Sequence, residues 1–451
     1  MKRFVGAGLI AVVLAGGARG QDGDLAARVA KIDASLLKAL GELAALYDGK
    51  KDPEAAHFFC ECALGWGSTD DKIKAVHKKW EDEVYYGRSR GGVPMADTKP
   101  IWEKLGVPSK EYKAVFDELV KAAGEKKLDE AGKKVLQDVA VKYELTRVAG
   151  DYVECTQRFN EVRQKMKLRA ILWEFESSRK LILAGWYMAD TGQWLSEDKE
   201  PHKEDHPAFG PHVEWAYENS NRCPYWHYST VRHGFGDMVD HVRAFALVRQ
   251  NLLNPDVRRL WAGEWPTGAK MKAIHIYAIP RVAYRKDIAT PSSRTHETVA
   301  EEKDRWIEVE ENLALKAGGK ALISRCPYEG EADAPWAFGY GEAGEYDWDD
   351  PTVAQRGQTS YGIPIMLRFF GGKELTEVDY ELKRKSGGYA LACRKYLNGD
   401  KRVEIDDLPT ILLLPDKTLD YETTHIIKIK GKLDGTPFEK KWEFTTRGRF
   451  K

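Results

Sequence analysis

The sequence has little cysteine, no excess charge and no long apolar run, and each scarcity removes a class of protein. Six cysteines in 451 residues do not make a disulfide scaffold. No pair is spaced Cys-x-x-Cys, so a cysteine zinc site is not expected. Cys60 and Cys62 lie two apart on a predicted helix, where side chains diverge and a mutual bridge is strained. Cys326 with Cys393, inside the C-terminal region, is the favoured bridge, and buried free thiols are the competing reading. Lys plus Arg equals Asp plus Glu at 70 each, so no global field draws the chain to nucleic acid or anionic lipid, and nucleic acid is not an expected partner. No apolar run reaches the ~18 residues a membrane span needs. Gly-x-Ser-x-Gly, the phosphate-binding Gly-x-x-x-x-Gly-Lys-Ser/Thr and a helix-opening Gly-x-Gly-x-x-Gly are all absent. Gly339-Tyr340-Gly341 reads as a loop, and the acidic residues Glu342, Glu345, Asp347, Asp349 and Asp350 lack the ordered spacing of a calcium loop.

What is present begins with an address. Lys2 and Arg3 precede an apolar stretch from Phe4 to Ala15 broken only by glycine, and Ala18-Arg19-Gly20 supplies small residues for a cut near Gly20. Residues 1–20 therefore read as a secretory signal peptide, and the expected location is secreted or periplasmic. With 43% hydrophobic and 11% aromatic residues, the rest can fill a core in each of two or three domains.

From Leu25 to Tyr47 the apolar residues Leu25, Val29, Ile32, Leu36, Leu40, Leu43 and Tyr47 step by three or four, the stripe of a long helix. Asp52 and Pro53 then read as the cap and first turn of a second helix, and Ser68 or Thr69 as the start of a third. This pairing resembles a tetratricopeptide-type hairpin over about 50 residues, without a repeated period. A Gly- and Pro-rich linker covers Arg88 to Pro100, and two amphipathic helices follow it. A boundary is expected near Ala149-Gly150, with Phe159 to Met188 helical beyond it. From Lys320 onward the pattern turns to strands: Ile363 to Phe370, Val378 to Lys385, Thr410 to Asp416, Thr424 to Gly435 and Phe438 to Thr446. Asp434-Gly435 is a hairpin signal between the last two, and the series predicts a β-sandwich.

The ending, from Leu412 to Thr446, resembles the closing strands of bacterial Ig-like domains, in which a tyrosine precedes a strand and Trp-x-Phe-Thr-Thr closes the sheet. In exported bacterial proteins that module follows domains of the CAP superfamily (cysteine-rich secretory proteins, antigen 5, pathogenesis-related proteins). Residues of about 155 to 285 are similar to a divergent CAP domain: Phe159 to Trp194 resembles its opening helix, short strand and second helix, Tyr217-Glu218-Asn219 its Gly-Glu-Asn motif, and Asp237 to Glu264 its later helix. The resemblance implies a cleft with two histidines and two acidic residues that hold a divalent cation. Here Gly185 and Val248 stand in the two histidine places, while Glu218 keeps the acidic one. The cleft's metal site is thus expected to be degenerate. Trp186, Trp215, Tyr217, Asn219 and Trp226 are the expected lining of a binding cleft.

His202, His206, His212, His227, His233 and His241 crowd one segment together with several Trp and Tyr residues. Imidazole suits Zn, Cu and Ni, which makes His202, His206, His212 and Glu218 the candidate ligand set. Pro201 and Pro207 bracket the first two and oppose a regular helix, so the zinc-protease pattern is not met. The competing reading is a polar surface loop that satisfies its own groups. The expected fold class is multidomain α+β: helices over residues 21–149, an α-β-α CAP-like domain over 150–318 and an Ig-like β-sandwich over 319–451. The expected function is exported, non-enzymatic binding or adhesion toward a protein or glycan ligand, with no cofactor. The alternative is a metal-dependent hydrolase that draws a divalent metal from the 202–241 cluster.

Overall fold

The computed structural model describes residues 22–86, 97–125, 128–165, 170–191, 203–220, 225–230, 259–267, 272–278, 322–334, 338–339, 360–370, 372–398 and 409–448. They combine helices and sheets, an α+β class, and separate into two compact units. One holds the described residues up to Thr230 together with 259–278, and the other those from Leu322 onward. No helix among the described residues is long and apolar enough to cross a membrane.

The first unit opens with α1 (Asp22–Gly49), whose predicted stripe from Leu25 to Tyr47 is buried throughout. Helix α2 (Pro53–Gly65) starts where Asp52 accepts the Ala55 N–H at 3.1 Å and Pro53 sits in the first turn, as the cap pattern predicts. Its end is a Schellman turn: Gly67 at φ +86° lets the Ser68 N–H reach Ala63 O at 2.9 Å while its own N–H bonds Leu64 O. Helix α3 (Asp71–Tyr86) begins two or three residues later than expected, because Asp70 accepts the Lys72 N–H at 2.8 Å. Helices α4 (Lys99–Gly124) and α5 (Glu130–Lys165) follow. The boundary expected at Ala149-Gly150 falls inside α5, beside a kink at Val148 (φ −126°, ψ 23°), so one kinked helix serves both halves of the unit.

The predicted helix from Phe159 to Met188 is interrupted by β1 (Leu172–Trp173), after which α6 (Phe175–Thr191) resumes. The interruption has a clear cause. Asn160 on α5 donates Nδ2–H to Ile171 O at 2.8 Å and accepts the Ile171 N–H at 2.6 Å, pairing with that backbone as a strand would. After α7 (Pro211–Ser220) come β2 (Tyr225–Thr230), β3 (Arg259–Thr267) and β4 (Lys272–Ala278). The four strands form one sheet in the order β1-β3-β4-β2, parallel only between β1 and β3. Helix α6 lies on β3 and β4, close enough that a Cβ on Gly263 would stand 2.5 Å from Ile182 N.

The second unit contains β5 (Leu322–Cys326), β6 (Glu331–Ala334), β7 (Phe338–Gly339), β8 (Ser360–Tyr361), β9 (Ile365–Phe370), β10 (Leu375–Arg384), β11 (Cys393–Leu397), β12 (Thr410–Pro415), β13 (Thr424–Leu433) and β14 (Thr436–Thr446). Two four-stranded sheets, β10-β13-β14-β6 and β11-β12-β9-β5, enclose one apolar core. Ile365, Leu367, Ile411 and Leu413 from one sheet meet Leu382, Ile427, Ile429 and Trp442 from the other. The β13–β14 hairpin turns on Asp434 (φ 48°) and Gly435 (φ 78°), the two left-handed residues that an Asp-Gly turn supplies. Its outer face is laced with exposed pairs such as Lys428–Glu439 and Lys432–Glu377 at 2.9 and 2.6 Å, which keep that face wet. Cys326 and Cys393 are free thiols. They sit on β5 and β11, the opposite edges of one sheet, so three strand spacings of about 4.8 Å separate them, well beyond disulfide reach.

Candidate metal centre

The residues singled out in the sequence are spread over several environments. Trp186 is 2% exposed, stacks on Trp265 at 5.3 Å, meets the edge of Phe116 at 5.1 Å and donates its indole N–H to Asp190 at 2.7 Å. It is a core residue rather than a cleft wall. Trp215 on α7 is half-buried, with Trp261 of β3 at 5.4 Å and the Lys180 ammonium over its ring at 4.4 Å. Tyr217, Glu218 and Asn219 lie on α7 and Trp226 on β2. Their side chains, and His202, His233 and His241, lie outside the described residues, as do Val248 and the acidic segment from Glu342 to Asp350. His227 on β2 is in register with His275 on β4.

His206 and His212 are spent on their own loop. The Nδ1 of His206 accepts the Ala208 N–H at 3.1 Å, and its Nε2 stands 3.5 Å from Asp190. His212 donates Nε2–H to Ala208 O at 2.6 Å, and burial pushes its imidazole down to about 4, so it is neutral at pH 7. These bonds hold the turn that leads into α7.

A different group converges on the α2–α3 hairpin. His57 and Glu61 lie one turn apart on α2, and His77 and Glu81 one turn apart on α3, so each helix presents an imidazole and a carboxylate on one face. The imidazoles of His57 and His77 stack with centroids 4.4 Å apart. His77 donates Nε2–H to Glu61 at 2.6 Å and turns Nδ1 toward Glu81 Oε2 at 3.7 Å. From β3, the Arg259 guanidinium grips the other oxygen of Glu81 at 2.5 Å. The second oxygen of Glu61 accepts the Phe175 N–H at 3.2 Å at the start of α6.

The electrostatics follow from depth. His57 is fully buried, and desolvation, helped by His77 and Arg259, pushes its imidazole well below the ordinary range against the pull of Glu61. Burial alone raises Glu61, yet the hydrogen bond from His77 and the neighbouring positive charges outweigh it and hold the carboxyl at about 2. Neither ring nitrogen of His57 has a hydrogen-bond partner among the described residues. One ligand atom from each of His57, His77 and Glu81 lies within 4.8 Å of the others, the metal-capable group among the described residues. The nearby thiols contribute little, since burial pushes Cys60 up to about 12 and Cys62 well above its usual value. Sequence reading missed this group because its two histidines are 20 positions apart; the repeated His-x-x-x-Glu at 57–61 and 77–81 is the signal that marks it.

No protein-family model matches the chain, and no curated protein matches it. Among solved structures, domains 1–6 of the surface layer protein SbsC align with 84% of this chain and 46% of that one, at 12% identity and a TM-score of 0.16. The chain spans less than half the length of that solved chain.

Proposed function

We propose that the chain is an exported, non-enzymatic binding or adhesion protein, in which a divergent CAP-like frame with an α-β-α layering is followed by an Ig-like sandwich. The observation that carries this reading is the Trp215–Trp261 pair. Both indoles are half-buried rather than sealed in the core, they come from α7 and β3, and Lys180 adds a cation at 4.4 Å from the Trp215 ring. Aromatic faces beside a charge offer apolar area with a polar edge, the combination favoured for contact with a glycan ring or a partner's side chains. The signal-like N-terminus and the glycine and valine in place of the cleft histidines support the same reading, as does the use of His206 and His212 for loop bonds.

The experiment is a glycan array probed with the full mature chain, with the released reducing ends measured alongside. Retention that falls at least tenfold in Trp215→Ala, without turnover, supports the reading. Chelator-sensitive turnover that is lost in His206→Ala or Glu218→Gln overturns it in favour of hydrolysis.

A further inference from the structure

We propose that His57, His77 and Glu81 form a site for one borderline divalent transition-metal ion, of the Zn²⁺ type, on the α2–α3 hairpin. The inference goes beyond the binding reading and does not depend on it.

The first ground is the state of His57. An imidazole wholly removed from water with both nitrogens unpartnered is an exception that needs a cause, because buried polar groups are almost always paired. An ion held by His57 and its two neighbours supplies a partner for one of these nitrogens.

The second ground is how the remaining groups are oriented. His77 gives Nε2 to Glu61 at 2.6 Å and turns Nδ1 toward Glu81, so Nδ1 is the nitrogen that faces the site. This is the carboxylate–histidine arrangement that orients metal ligands. Glu81 likewise gives one oxygen to Arg259 and keeps Oε2 for the site. Two bonds of about 2.0–2.1 Å to one tetrahedral ion place their ligand atoms about 3.3–3.4 Å apart. His77 Nδ1 and Glu81 Oε2 are 3.7 Å apart, so an ion draws them together by a few tenths of an ångström.

The third ground is chemistry. Two imidazoles and one carboxylate suit Zn²⁺, Cu²⁺ or Ni²⁺, whereas Ca²⁺ and Mg²⁺ prefer all-oxygen shells. Glu61 and Glu81 against Arg259 leave one net negative charge to meet the cation. The side chains of His77 and Glu81 are 16% and 26% exposed, which gives the ion a way in and leaves a fourth position for water. The ion then ties α2 to α3 and, through Glu81 and Arg259, to the first residue of β3.

The test is a Co²⁺ titration of the full mature chain, read by the visible absorption of four-coordinate cobalt and by competition with Zn²⁺. The expected result is a band that saturates at one equivalent and is displaced by Zn²⁺. It is absent in His57→Phe and in Glu81→Gln, and it is retained in Glu61→Gln with about 10–100-fold weaker affinity. Glu81 is partly exposed, so Glu81→Gln keeps the test meaningful should His57→Phe fail to fold. No saturable band in the wild type, or a band that survives both ligand substitutions, overturns the proposal. Either failure leaves the Trp215-dependent retention untouched, because that experiment uses residues of α7 and β3 and needs no metal.

Discussion

Gln157 donates its side-chain N–H to both carboxylate oxygens of Asp52, at 2.8 and 3.1 Å. The same Asp52 caps α2, so the start of the hairpin that carries His57 is pinned to α5 by a buried bond. Removing the carboxylate loses the cap, worth about 1 kcal/mol, and the two bonds from Gln157, worth about 0.5–1.5 kcal/mol each. Asp52→Ala is therefore expected to lower stability by about 2–4 kcal/mol in urea unfolding. A loss below about 1 kcal/mol would show that the bracket is weaker than its geometry implies.

Arg147 extends this bracing to the sheet. Its guanidinium bonds Glu144 on its own helix at 2.6 Å and Glu264 of β3 at 2.8 Å, and both carboxylates are buried. Glu264 also donates its backbone N–H to the Tyr152 hydroxyl at 2.9 Å. Truncation removes the cation that two buried carboxylates share, which costs about 3–5 kcal/mol. Arg147→Met is expected to destabilise by that order in denaturant unfolding, and the paired change Arg147→Met with Glu264→Gln to recover part of it.

Gly263 marks the closest approach of α6 to β3. An added methyl would sit 2.5 Å from Ile182 N and 2.6 Å from Leu181 C, both backbone atoms that cannot step aside singly. Gly263→Ala must lift the helix from the strand, an overpacking cost of about 1–3 kcal/mol. Faster hydrogen exchange at the amides of β3 and α6 is the expected sign, and unchanged protection there counts against the tight contact.

In the sandwich, His425 is buried against Phe444 with its ring centroid at 5.4 Å, and burial pushes its imidazole down to about 4, with Asp420 opposing and Arg384 assisting. A depressed histidine binds its proton more readily when unfolded. Its contribution is thus fully present above the unfolded value of about 6.5 and is lost as the pH falls toward 4. His425→Phe is expected to flatten the fall in stability between pH 6.5 and 4, followed by thermal melts across that window. An unaltered slope would assign the acid sensitivity to other groups.

How far the sequence discloses this molecule depends on whether its signals are periodic. The stripe of α1 and the alternation of β13 are read directly because regular spacing sends every buried residue to one face. The Asp52-Pro53 start and the Asp434-Gly435 turn were legible because backbone geometry demands those residue types. Strand β1 carries no period of its own, since two buried residues sit within apolar sequence that reads as helix, and only the family resemblance of Phe159 to Trp194 gives a short strand there. Its cause, the Asn160 side chain, acts across 11 positions. The histidines at 202–241 are dense in sequence, yet His206 and His212 bond within the turn that leads into α7. The group on α2 and α3 is sparse in sequence and dense only after the hairpin forms. Trp186 and Trp215 look alike as letters, and only packing separates a core indole from a half-buried one.

The metal content of the purified chain, measured by plasma mass spectrometry after equilibration with Zn²⁺ and removal of loosely held ion, compares the two histidine groups most directly. The account predicts about one equivalent in the wild type and in His206→Ala, and a loss of that equivalent in His57→Phe and Glu81→Gln. Zinc that stays in both hairpin variants and leaves with His206→Ala would contradict it, and would return the site to the loop before α7.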